Sequence, residues 1–248
     1  MSEHVLTERH DAVLTIRLNR ADKKNALTRA MYNAMGEALS LAAVDDSVRV
    51  VMLAGGTDFT AGNDIKDFAA VGDRPATEPG AAFNFLENIV GFPKPVVAAV
   101  RGYAVGIGTT MLLHCDVVVA SETARLQMPF TKLALVPEAG SSVLLPARVG
   151  PARANWWFLS GSPISGAEAA AAGLASRAVP DDEVEPVAME MARTLAALPP
   201  GAVAETKRLI KAPHAAMVAE AMAAERVSFA AQLRTPEAQA IFASFLKK

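Results

Sequence analysis

One glutamate in this chain stands apart from other charges. Glu138 is the only charged side chain between Lys132 and Arg148, within PFTKLALVPEAGSSVLLPAR (129–148). A carboxylate among apolar neighbours has its charged form disfavoured, which raises its pKa toward the range of a general acid or base. The same residue reads equally well as a first-turn glutamate that faces water and satisfies free helix N–H groups. Two other stretches could supply donors to developing negative charge. In PVVAAVRGYAVGIGTTMLLHCD (95–116), the β-branched run Val96–Val100, the glycines Gly102, Gly106 and Gly108, and Thr109–His114 predict strand, turn and helix. That order points main-chain N–H groups and the positive end of a helix dipole at a ligand, and a missing Cβ permits close approach. No charge lies between Arg101 and Asp116, so such donors act in dry surroundings, where they are strongest. The third stretch, FTAGNDIK (59–66), puts Gly62 before another candidate helix start. Taken singly, both glycine stretches read more simply as ordinary strand-to-helix turns.

Other chemistries find less support. GxGxxG is broken by Met111, which argues against a dinucleotide site. His4, His10, His114 and His214 have no ligand spacing and no Cys/His cluster exists, so no metal is expected. Ser141-Ser142 lacks a GxSxG elbow, and these serines are expected to bond backbone groups at the helix start.

The elements that must position these groups follow from periodicity. Residues 11–19 alternate as a half-buried strand. Thr28 can cap a helix whose Met31, Met35, Leu39 and Ala42 share a face. Val48–Leu53 is a second strand, 59–68 a short strand entering a turn and helix, 70–80 a mobile surface loop, and 81–91 a helix. Short strands are predicted at Val117–Ala120, Ala124–Leu126 and Ser176–Val179. An apolar helix is predicted within Pro137–Gly150, and Ser165–Glu168 forms a capping box for a helix that Gly173 ends. Beyond Pro180 only helices are predicted, at 182–198, 201–211, 214–234 and 236–247; in the third, Met217, Ala221, Ala224 and Ser228 share a small, apolar face. Interleaved strands and helices followed by helices alone predict a mixed α/β core with a helical C-terminal appendage, which packs either on its own core or on another subunit.

With 248 residues, 52% hydrophobic and 20% charged, the chain has material for one large core. A net charge of −2 without basic tracts gives no nucleic-acid footprint. The lone Cys115 precludes an internal disulfide and suits a small core residue. The polar N-terminus shows no secretory signal and no apolar span reaches membrane length, so a cytoplasmic protein without membrane partners is expected.

Together, LNRADKKNAL, FTAGNDIKDF, KPVVAAVRGYAVGIGTTM, HCDVVVASETARLQMPF, LVPEAGSS and SGSPISGAEAAAAGLASRAV resemble the crotonase (enoyl-CoA hydratase/isomerase) superfamily over almost the whole chain. The resemblance implies a spiral of β-β-α repeats over 1–198 that binds acyl-CoA and carries catalysis. It also implies a helical trimerisation region over 199–248, in a homotrimer or dimer of trimers. A CoA thioester would place its carbonyl oxygen between the N–H groups of Asn63, after Ala61-Gly62, and Ile107, between Gly106 and Gly108. Asp64, Ile65 and Lys66 would line the CoA channel, Ala26 would border the adenine end, and Lys23 or Lys24 would lie near the phosphates. No cofactor is implied beyond the CoA of the substrate itself.

The pattern departs from the hydratase. That enzyme holds water with two glutamates; the matching positions here are Thr110 and Phe130, the latter following Pro129. Pro137-Glu138-Ala139-Gly140-Ser141-Ser142 instead resembles the PEG-x-SS motif of the Δ3,Δ2-enoyl-CoA isomerase branch. This implies Glu138 as a single base that shifts a 3-enoyl-CoA double bond to the 2-position in fatty acid or related acyl-CoA metabolism. Phe130, Leu135 and Val136 would form the apolar pocket. The alternatives are an enoyl-CoA hydratase, another enolate-forming acyl-CoA lyase or isomerase, or a non-catalytic acyl-CoA-binding assembly subunit.

Overall fold

The computed structural model of the chain describes residues 3–66 and 80–246. The loop expected over 70–80 lies, apart from Gly80, outside the described residues, as do the last residues of the expected 59–68 element. A six-stranded sheet forms the centre. It comprises β1 (Val5–His10), β2 (Val13–Leu18), β3 (Val50–Ala54), β4 (Val96–Val100), β6 (Val117–Ser121) and β9 (Arg177–Val179), adjacent in that order. From β2 onward every pairing is parallel, and β1 adds to the edge as an antiparallel hairpin arm. A second sheet holds β5 (Tyr103–Val105), β7 (Arg125–Gln127) and β8 (Ile164–Ser165). The chain thus leaves β4 for β5, turns into a helix, returns through β6, and repeats the move at β7. This is the ββα spiral of a mixed α/β fold.

The inner strands β3, β4 and β6 are buried on both faces, so they read as near-continuous apolar runs. One face, with Val51, Leu53, Val96, Ala98, Val100, Val118 and Ala120, contributes to the main core. That core includes Met31, Met35, Leu39 and Ala42 of α1 (Arg29–Val44) and Phe85, Leu86 and Ile89 of α2 (Ala81–Val90). Thr28 caps α1, accepting the Met31 N–H at 3.3 Å. The other face, with Val50, Met52, Val97, Ala99 and Val119, packs on Val184, Ala188, Ala192 and Ala196. These four residues form the buried stripe of α7 (Val184–Ala196).

The remaining helices are α3 (Ile107–Thr110), continued by a 3-10 turn to His114, α4 (Ser141–Val149), α5 (Pro151–Ser160) and α6 (Gly166–Ala171). The C-terminal set is α8 (Pro200–Lys211), α9 (Ala215–Leu233) and α10 (Pro236–Leu246). As expected, the Ser165 hydroxyl caps α6, accepting from the Glu168 N–H at 3.1 Å.

Several elements differ from the sequence expectation. β1 carries no apolar alternation because VLTERH buries only Val5; its faces are largely uncovered, so polar side chains suit it. The helix α5 is likewise not among the expected elements, although Pro151 at its first position and a left-handed Gly161 just past its end punctuate it as helices are commonly punctuated. No named strand forms at 59–63, only isolated bridges of Thr60 to Ala104 and of Asn63 to Leu27. On α9 the face that packs on the chain's own core lies one residue away from the small, apolar face of Met217, Ala221, Ala224 and Ser228. Met217, Ala224 and Ser228 are exposed, whereas Val218 and Glu225 are buried and Met222 and Phe229 pack on the core.

Candidate active site

The two glycine turns meet. Val105 donates to the Thr60 carbonyl (3.0 Å) and Thr60 to the Tyr103 carbonyl (2.8 Å), which lays residues 60–63 along β5. A Cβ on Gly62 would stand 2.7 Å from the Val105 carbonyl oxygen, and Gly62 has φ +88°. Only glycine lets the turns approach this closely. A Cβ on Gly108 would meet the Thr60 methyl at 2.6 Å, so the first turn of α3 also presses on this segment. Gly106 (φ +58°) turns the chain into α3, making Ile107 its first residue. Asn63 lies in a parallel bridge whose two bonds use the flanking Gly62 carbonyl and Asp64 N–H. Among the described residues, neither the Asn63 N–H nor the Ile107 N–H has a protein acceptor. Two free main-chain donors, borne by turns in contact, are what an oxyanion would need.

A buried polar knot holds this geometry. Asn25 (1% exposed) accepts the Arg20 N–H at 2.7 Å and donates through Nδ2 to the carbonyls of Gly55 (2.7 Å) and Asp58 (2.6 Å). Arg20 donates to both Asp64 Oδ2 (2.6 Å) and the Ala26 carbonyl (2.9 Å). Ala61 donates to the Lys24 carbonyl at 2.8 Å. Loops 20–27 and 59–66 are therefore tied to each other by hydrogen bonds. The structure gathers Lys24, Ala26, Ala61, Gly62, Asn63 and Asp64 there, with Lys23 and Lys66 exposed at its ends and Ile65 packed against the core. Lys24 lies with its Nζ 3.9 Å above the Tyr103 ring. Phe130 is placed differently: it is buried and faces Phe158 of α5, ring centroids 6.5 Å apart.

Glu138 joins this site through α3. The Thr110 hydroxyl, one turn beyond Ile107, donates to Glu138 Oε1. The water-facing alternative for Glu138 is excluded, since it is 8% exposed. Burial pushes its carboxyl up to about 7; the charge of Glu225 acts in the same direction, and the Thr110 hydrogen bond opposes both. Tyr32 of α1 donates to Asn63 Oδ1 at 2.5 Å. Its phenol is pushed well up, first by burial and then by the charge of Glu138.

The backbone after Glu138 takes two consecutive left-handed residues, Ala139 (φ +64°) and Gly140 (φ +67°). Two side chains hold this turn. His114 Nε2 lies 2.7 Å from the Ala139 carbonyl oxygen. Burial lowers the His114 pKa to about 4, so the ring is neutral and carries its proton on Nε2 to make that bond. From α9, Glu225 accepts the Gly140 N–H through Oε2 (2.6 Å) and the Ser142 N–H through Oε1 (2.9 Å). The expectation for the serines is corrected: Ser141 Oγ is buried without a hydrogen-bond partner among the described residues, while Ser142 engages through its N–H. Their helix start is capped by Glu225, so the hydroxyls are not required there.

Tyr32, Asn25 and His114 carry no local sequence signal of a role in the site. The one legible signal was on α9, where Glu225 interrupts the helical spacing Val218, Met222, Phe229.

The spiral fold is that of crotonase-type enzymes, and comparison with known proteins agrees. The Enoyl-CoA hydratase/isomerase family profile matches residues 8–248. The solved structure of Pseudomonas aeruginosa OdaA is 46% identical, covers 100% of both chains and superposes with a TM-score of 0.95. Rat Enoyl-CoA delta isomerase 2 is 36% identical over 85% of this chain, which spans about half (55%) of that longer relative. Escherichia coli 2,3-dehydroadipyl-CoA hydratase is 33% identical over 100% of this chain and 97% of its own length. The chain belongs to the enoyl-CoA hydratase/isomerase family. No helix among its described residues is long and apolar enough to cross a membrane.

Proposed function

We propose that the enzyme moves the double bond of a 3-enoyl-CoA to the 2-position, with Glu138 as its single acid–base group. The observation that carries this reading is the buried Glu138 carboxyl bonded to Thr110, one turn along the helix that begins at Ile107. The thioester oxygen binds between the Asn63 and Ile107 N–H groups, which acidifies C2. Glu138 takes the C2 proton, and the electron pair delocalises onto the thioester oxygen as a dienolate. The same carboxylic acid then returns the proton to C4, leaving the conjugated 2-enoyl thioester. No proton is gained or lost overall. A carboxyl near 7 suits both halves of this cycle, because it accepts and releases the proton with little bias. Hydration is disfavoured because Thr110 and Phe130 occupy the positions where the hydratase pattern has glutamates.

The test is a spectrophotometric assay with 3-hexenoyl-CoA, following the conjugated product. Glu138→Gln is expected to lower kcat about a thousandfold, and near-normal turnover in that variant overturns the reading. Crotonyl-CoA hydration is measured beside it. Hydration faster than isomerisation would instead favour the activity borne by the Escherichia coli relative's name.

A further inference from the structure

The carboxylate of Glu225 belongs to the C-terminal helices, 87 positions beyond Glu138, yet it ends on the backbone of the Glu138 turn. It is 7% exposed, and the partners that hold it are the N–H groups of Gly140 and Ser142 at the start of α4. Contact between the elements is close: a Cβ on Gly140 would lie 3.0 Å from Val218 Cγ1 and 3.4 Å from Met222 Cγ, both on α9. Two adjoining left-handed residues, one of them Ala139, do not keep this shape unaided. We propose that Glu225 is a positioning residue, through which α9 fixes the turn that aims Glu138 and sets the electrostatic field around that carboxyl.

The proposal rests on the reading of Glu138 as the base. The groups that act on the carboxyl are Thr110 from α3, by its hydrogen bond, and the Glu225 carboxylate from α9, by its charge; the Tyr32 phenol of α1 in turn feels the Glu138 charge, and His114 is bonded to the adjacent Ala139 carbonyl. Among the described residues, the one charge that shifts Glu138 is that of Glu225. It disfavours ionisation of Glu138. Its removal therefore lowers the pH at which the base becomes available. Loss of a hydrogen bond at the turn, by contrast, misaims the base and lowers kcat without touching the substrate.

The experiment uses the full-length chain and two variants. Glu225→Gln removes the charge and sets an amide donor against one of the two N–H groups. Glu225→Asp keeps the charge but shortens the reach. Two quantities are read: the pH profile of 3-hexenoyl-CoA isomerisation, and the ionisation of Glu138 itself by carboxyl infrared difference spectroscopy without substrate, assigned by its loss in Glu138→Gln. Glu225→Gln is expected to move the Glu138 midpoint down by about half a pH unit or more and to lower kcat about tenfold with KM nearly unchanged. Glu225→Asp is expected to lower kcat several-fold with the midpoint in place. A midpoint that stays put or rises in Glu225→Gln overturns the proposal. If Glu225→Gln does not fold, an unchanged kcat in Glu225→Asp overturns it. A wild-type protein inert toward 3-hexenoyl-CoA would instead refute the isomerase reading, and the spectroscopic midpoint would still decide the role of Glu225.

Discussion

The two halves of the site are built on different principles. The donor half, Gly62-Asn63 and Gly106-Ile107, is main chain: its shape comes from two glycines at positive φ, from the close approach of Gly62 to the Val105 carbonyl, and from a knot around Asn25 in the adjoining loop. The base half, Glu138–Ser142, is one side chain and its turn, secured from two distant stretches: Thr110 and His114 on one, Glu225 on the other. Backbone donors have no pKa in the working range and need only geometry. A carboxyl must also be tuned, so its environment has to supply burial, one hydrogen bond and a neighbouring charge. Mutations should accordingly act on the donor half by steric force and on the base half by electrostatics.

The sharpest way to break this contrast is Gly62→Ala. Its Cβ would lie 2.7 Å from the Val105 carbonyl oxygen, at a φ of +88° that alanine resists. The turns must separate, misplacing the Asn63 N–H. Losing one such donor costs about 3 kcal/mol of transition-state stabilisation, so kcat should fall about a hundredfold. The pH midpoint should stay near 7, because burial, the Thr110 bond and the Glu225 charge that set it are left in place. A shifted midpoint would mean that the halves are not separable.

Thr110→Val tests the opposite behaviour. The valine keeps the shape and removes the bond to Glu138. That bond holds the carboxyl down against burial, so the pKa should rise above its present value of about 7. The base must be ionised to act. Activity at pH 7 should therefore fall, by about tenfold at most for a one-unit shift, and recover as pH rises past the new midpoint. An activity loss that is equal at all pH values would assign Thr110 a purely structural role.

The same contrast explains what the sequence reveals. The donor half is legible because glycine spacing is local: Gly62 and Gly108 mark close approaches, and Gly106 a positive-φ turn, directly in the chain. Glu138 is legible because charge is scarce around it. Its tuning is not legible, since Glu225 lies on a helix whose neighbouring face looks equally suited to burial. Met217 and Val218 are adjacent in sequence, and only packing against Gly140 decides that Val218 turns inward. Asn25 follows the same rule. A polar residue in LNRADKKNAL reads as solvated until Gly55 and Asp58 are found to need its amide.

Ala139→Gly offers the smallest effect and isolates the clamp from the strain it restrains. Alanine at φ +64° is strained by about 1 kcal/mol relative to glycine, and deleting its buried methyl costs about 0.8 kcal/mol. The two nearly cancel, so stability by urea unfolding should change by less than about 0.5 kcal/mol. Ala154→Gly, in the interior of α5 and fully buried, has no strain to release. It loses both the methyl and the helix preference, about 1.5 kcal/mol together. If His114 and Glu225 carry the turn, kcat in Ala139→Gly should stay within about threefold of wild type, because both contacts go to main-chain atoms that glycine retains. A kcat that collapses while stability is preserved would show that the alanine side chain itself holds the base, and that the turn depends on its own residues as the donor half does.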